Sequence, residues 1–149
     1  GTGIRFMPVK DGEQRSIAGH TVTFFSIHSR KAEQYGFHME SPEGQRIVCT
    51  GDEPCSPACG HYLEGADWLF HEAFCLEADA GRFQPHKIGH GTVREAALLA
   101  RKHRVRNLVL WHTEDRSTYG KRRELYTEEA RSVFLGNVHV PDDLDVITL

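Results

Sequence analysis

Residues 107–116 read NLVLWHTEDR, an apolar run that ends by handing His112, Glu114 and Asp115 to whatever lies beyond its tip. A short apolar run bounded by polar residues predicts a buried strand. Three other stretches end the same way: FFSI at His28, RIVCTG at Asp52, and WLF at His71 and Glu72. In open α/β sheets the ligand crevice lies beyond the carboxyl ends of the strands, so residues distant in sequence meet there. Two imidazoles and a carboxylate suit zinc, which takes nitrogen and oxygen donors at about 2.0–2.2 Å. A single histidine at a strand end reads as a surface residue, whereas four such ends in one chain point to a site.

Working outward, Ile4 to Val9 predicts a strand, followed by a hairpin turn in KDGEQR around Asp11-Gly12. His20 to Ile27 predicts a second strand from its β-branched and aromatic residues. Tyr35 to Glu40 and Arg46 to Thr50 bracket SPEG and predict a second hairpin. After Gly51 the pattern changes. Ser56-Pro57 opens a short helix that Gly65 stops, ADWLFH is a strand, and ADAGRFQPHKIGH reads as a loop. Thr92 and Glu95 form a capping box for a helix with Val93, Ala96, Ala97 and Ala100 on one face. With the run at 107–111, residues 66 to 111 make a βαβ unit. A last helix over about 121 to 134 leads to a final strand, DVITL. The expectation is one α/β domain over residues 1–149, a mixed sheet with helices on one face.

The 149 residues, 39% hydrophobic and 26% charged, are enough for a core of that kind. A formal net charge of -3 supplies no global field for nucleic acid. Arg101, Lys102, Arg104, Arg106 and Lys121, Arg122, Arg123 make two local basic clusters, read as solvated helix faces. No apolar run approaches the ~20 residues of a membrane span. Cys49, Cys55, Cys59 and Cys75 read as reduced thiols, and the expectation is a cytoplasmic protein without a membrane anchor. Cys55-x-x-x-Cys59 with His61 and Cys75 lacks the spacing of a structural zinc motif. His20, His38, His61, His86, His103 and His139 read as surface or packing residues, and Trp68 and Trp111 as core.

The motifs YGF, TGDEP, GADWLFHEA, GHGTVREAALLA and LVLWHTED occur in an order that resembles metallo-β-lactamase-fold hydrolases, most closely the ribonuclease Z branch. The resemblance runs from about Gly19 to the C-terminus and implies the C-terminal half of an αββα sandwich. It implies that His28, Asp52 and His112 are metal ligands, with Asp52 bridging two Zn²⁺ ions. It implies that His90, as a cation held by Glu72, gives a proton to the leaving oxygen. The substrate implied is RNA, cleaved in transfer RNA 3′ processing, and the complete protein would be a homodimer.

Measured against that resemblance, the HxHxDH loop that completes the metal site is absent from this sequence. The expectation is a chain that is inactive alone and needs the missing N-terminal half. Glu53, Phe74 and Gly91 also depart from the threonine, threonine and serine usual at those places. Two rival readings stand beside the first: a same-fold hydrolase of a small phosphodiester or other ester, and a non-catalytic half-domain that needs a partner chain. Without its other half the fragment is expected to expose an apolar face and self-associate.

Overall fold

The first four strands pair antiparallel and the last three pairings are parallel, in a single seven-stranded sheet whose order follows the sequence. The computed structural model describes residues 3–149. The strands are β1 (Gln14–Ile17), β2 (His20–Ser26), β3 (Tyr35–Glu40), β4 (Arg46–Cys49), β5 (Trp68–Glu72), β6 (Asn107–Trp111) and β7 (Asn137–His139). Four helices accompany them: α1 (Gly60–Leu63), α2 (Ala80–Phe83), α3 (Val93–Lys102) and α4 (Arg122–Arg131). Among the described residues no helix is long and apolar enough to cross a membrane.

Side chains alternate across the sheet and so build two apolar layers. Val48, Leu69, Leu108 and Leu110 face a core completed by Val93, Ala96, Ala97 and Ala100 of α3 and by Tyr126 and Ala130 of α4. Ile47, Trp68 and Val109 point the other way and pack with Met39, Phe70 and Ile147. The capping box is present as expected: Glu95 N–H donates to the Thr92 hydroxyl, and Thr92 N–H donates to the Glu95 carboxylate at 2.8 Å. That box fixes where α3 begins, immediately after His90 and Gly91.

Three expectations are corrected. Ile4 to Val9 is not a strand; Ile4 and Phe6 are exposed, and Gly1-Thr2 before them lies outside the described residues. The strand is the polar Gln14–Ile17, paired with β2 through a tight turn at Ala18-Gly19, where both residues have positive φ, as a two-residue hairpin loop requires. Asp11-Gly12 is a turn, but it only leads into that edge strand. DVITL is not a strand either. Asn137–His139 takes the place beside β6, and the tail after Pro141 is tied down by Arg122 and Arg123, which bind Asp142 and Asp145. Lastly, the stretch read as a loop at 78–90 holds α2 and two 3₁₀ turns, Glu77–Asp79 and Pro85–Ile88.

Candidate functional site

Each of the strand-end residues leaves its strand at the same edge of the sheet, because β4, β5 and β6 run parallel and β2, two antiparallel pairings away from β4, runs the same way. His28 and His112 both adopt left-handed backbone, with φ of 58° and 49°. That conformation costs a non-glycine residue about 1–2 kcal/mol and gathers at functional sites. Both imidazoles stand exposed, as does Asp52 on the turn after Gly51. Trp111 is corrected from core to bridge: it is 39% exposed and its indole N–H donates to the Gly51 carbonyl at 3.1 Å. It thereby straps the end of β6 to the turn that carries Asp52.

Behind this rim sits a buried pair. Glu72 is fully buried, and its Oε1 accepts the Gly91 N–H at 2.7 Å. Its other oxygen, Oε2, stands 3.5 Å from His90 Nδ1, too far for a good hydrogen bond, and neither atom has another partner. The His90 ring is stacked between Phe74, 5.3 Å away, and His112, 5.0 Å away. Burial pushes Glu72 up to about 8, while burial and then the nearby Lys31 and His112 hold His90 below its ordinary value. Asp52 works the other way and draws a proton toward the His90 ring. Both shifts favour the uncharged forms of the pair, because neither charge is solvated here.

His71, one of the three strand-end histidines, is not part of the rim. Its Nε2 accepts the Cys55 N–H at 3.2 Å, so Nδ1 carries the proton and donates to the Glu72 carbonyl at 2.6 Å. This buried neutral ring holds the Cys55 loop against β5. Glu114 is a loop cap, accepting the Arg116 and Ser117 N–H groups. The Lys121-Arg122-Arg123 cluster is spent largely on the C-terminal tail: Arg122 reaches Thr113, Pro141 and Asp142.

The donor chemistry fits zinc, since His28, Asp52 and His112 bring two imidazoles and a carboxylate to one sheet edge. Among the described residues, however, no three His, Cys, Asp or Glu side chains stand close enough together to hold an ion. These residues supply part of a donor set.

The three positions that depart from the family pattern all touch this pair or its surroundings. Phe74 stacks on His90. At Gly91 a Cβ would stand 3.0 Å from Glu95 and 3.2 Å from the Glu72 Oε1 that its own N–H binds. Glu53 is buried beside Lys31, accepting from Ser29 and Gln34. Neither Lys31 nor the stacking role of Phe74 was read from the sequence; their only signal was the departure at Glu53 and Phe74.

The β-lactamase superfamily domain matches residues 2–113 of this chain. Ribonuclease Z of Gemmatimonas aurantiaca is 38% identical over 108 residues, covering 72% of this chain and 33% of that protein. Ribonuclease Z of Thermococcus kodakarensis is 41% identical over 111 residues, covering 71% and 32%. Among solved structures, the metallo-β-lactamase fold protein YhfI from Bacillus subtilis superposes with a TM-score of 0.73 at 20% identity, over 91% of this chain and 52% of that one. Human tRNase Z, short form, gives a TM-score of 0.66 at 24% identity, over 89% and 44%. The structural likenesses speak for the fold alone, and the chain spans about a third of the length of the curated relatives it matches. With its strand-end residues at one edge of a mixed sheet and this match over most of its length, the chain belongs to the β-lactamase superfamily domain family and has the metallo-β-lactamase fold.

Proposed function

We propose that this chain is part of a zinc-dependent phosphodiesterase of the ribonuclease Z kind, which cleaves RNA on the 3′ side of transfer RNA. The observation that carries the reading is the buried His90–Glu72 pair, stacked against His112 with one unpartnered atom on each residue. Relatives named ribonuclease Z support it. His28, Asp52 and His112, with donors from elsewhere, would hold the zinc, which when bound supplies a water acidic enough to act as nucleophile near neutral pH.

This chain's own work is on the leaving side. As the phosphorus–oxygen bond breaks, the departing alkoxide takes the proton from His90 Nε2. In the same step the bare Nδ1 takes up the Glu72 carboxyl proton, so the ring ends neutral and Glu72 ends as a carboxylate still held by Gly91 N–H. Phe74 keeps water from one face of the ring and fixes its plane. In the same reading the complete protein is a homodimer in the cytoplasm; the dimer rests on the resemblance, and the four free cysteines suit a reducing compartment.

The test uses the full-length protein, a precursor transfer RNA with a 3′ trailer, and bis(4-nitrophenyl) phosphate. Cleavage at the trailer junction that falls about 10²–10⁴-fold in His90→Ala supports the reading. Hydrolysis of the small diester with the RNA left intact would move the assignment to a small-molecule esterase. No turnover of either substrate by protein with two bound zinc ions would leave a non-catalytic domain.

A further inference from the structure

A shallow groove of about 500 Å³ runs up to His90 and is lined by His28, Arg30, Lys31, Glu53 and Lys87. Its chemistry is unequal: three permanent cations against one carboxylate. That carboxylate, Glu53, is buried, with Oε1 taking the Ser29 hydroxyl at 3.1 Å, the Gln34 amide at 3.3 Å and the Lys31 ammonium at 3.2 Å. Lys31 itself is about half exposed.

The position of Lys31 is tightly set. A Cβ at Gly89 would lie 2.8 Å from its Cε and 3.0 Å from Nζ, so the ammonium rests on bare backbone one residue before His90. Gly89, with φ of +79°, is the residue that permits this approach. If Lys31 served only to neutralise Glu53, the ammonium would be satisfied by that contact. It has three N–H donors, Glu53 engages one oxygen's worth of them, and that oxygen already has two other donors. The half-exposed Lys31 lines the groove together with Arg30 and Lys87, so donors are left for a ligand there.

We propose that Lys31, held by Glu53 and flanked by Arg30 and Lys87, forms an anion subsite that receives the phosphate next to the one being cleaved. The inference rests on the phosphodiesterase reading above and narrows its substrate class to a polyanionic strand. An isolated diester at His90 leaves the basic length of this groove unfilled, whereas a second phosphate meets three cations.

Binding is the readout, so the result does not depend on turnover. Fluorescence anisotropy follows a labelled short single-stranded RNA across a salt series, with this chain, Lys31→Met, Glu53→Gln, and Lys102→Met from the remote basic cluster. Backbone amide shifts of Gly89 follow inorganic pyrophosphate. Lys31→Met is expected to bind RNA about five-fold more weakly, with the log–log salt slope reduced by about 0.7. Glu53→Gln should weaken binding in the same direction by releasing Lys31, Lys31→Arg should restore it, and Lys102→Met should match the parent. If the parent binds RNA and Lys31→Met equals it in affinity and slope, the subsite is wrong and the phosphodiesterase reading survives. If the parent ignores RNA while pyrophosphate shifts Gly89 in the parent and not in Lys31→Met, the subsite stands and the RNA reading fails. If neither ligand binds, the subsite is overturned.

Discussion

Glu72 makes stability depend on pH in a direction opposite to that of most carboxylates. It is fully buried and pushed up to about 8, so the folded chain keeps a proton there that the unfolded chain has released above about 4.3. A raised folded value means stability present at low pH and lost as pH climbs toward and through 8. The His90 shift is downward, through burial, so its own pH dependence lies on the acid side of that window. Glu72→Gln keeps an acceptor for Gly91 N–H and has no proton to lose. Thermal melts between pH 7 and 8.5 are therefore expected to show a falling midpoint for the parent and a flat one for Glu72→Gln, with a difference on the order of 1 kcal/mol at the upper end. Parallel profiles would mean that Glu72 is not protonated in the folded state. At this scale the sequence was informative about which residues share one edge of the sheet, because apolar runs that end in His28, Asp52, Glu72 and His112 carry their own direction. It was silent about Lys31 on Glu53 and Phe74 on His90, contacts made by side chains whose neighbours only the fold decides.

Between strands and helices, one hydroxyl does much of the joining at the site edge. Tyr126 of α4 is fully buried and donates to the Phe74 carbonyl at 2.9 Å and shares the Glu114 carbonyl at 3.0 Å. These carbonyls belong to the segments that leave β5 and β6, so a helix on the core side sets the spacing of the two loops that flank His90. Tyr126→Phe leaves the ring and removes the link; the Phe74 carbonyl keeps the Glu114 N–H, but the Glu114 carbonyl loses its donor, at about 1–3 kcal/mol. Urea unfolding should show that loss, and amide exchange should quicken at Phe74 and Glu114 while β2 and β3 keep their protection. Uniform loss across the sheet would place Tyr126 in the general core instead. The elements themselves were legible where local chemistry is strong: the capping box at Thr92, the apolar run at 107–111, the Gly65 stop. They were not legible at the ends of the chain. Ile4 to Val9 has strand composition but Pro8 removes a donor and no neighbouring strand takes it up. DVITL lost its place in the sheet to Asn137–His139, which follow α4 directly and reach β6 first.

Over the whole molecule, the sheet has two faces and only one is covered by helices. On the second, Ile47, Trp68 and Val109 are nevertheless buried, because the tail crosses them and packs Ile147, like Met39 and Phe70, against that layer. Arg122, whose side chain is largely buried, and Arg123 hold the tail there through Asp142 and Asp145. The cover is partial: a groove of about 1020 Å³ remains between the tail and the sheet, with Phe70, Trp111 and His112 on its wall. An apolar face left half open drives association, and one stripped of its tail drives it further. A chain ending at Val140 is therefore expected to bind more 8-anilinonaphthalene-1-sulfonate and to sediment as larger species than the chain of 149 residues. Ile147→Asp should fall between the two, since it keeps the arginine clamps but puts a charge against the layer of Ile47, Trp68 and Val109. Monomers of equal dye binding in all three would mean that the second face is closed without the tail, and that the apolar layer around Trp68 belongs to this chain's own core instead of to an interface with further structure.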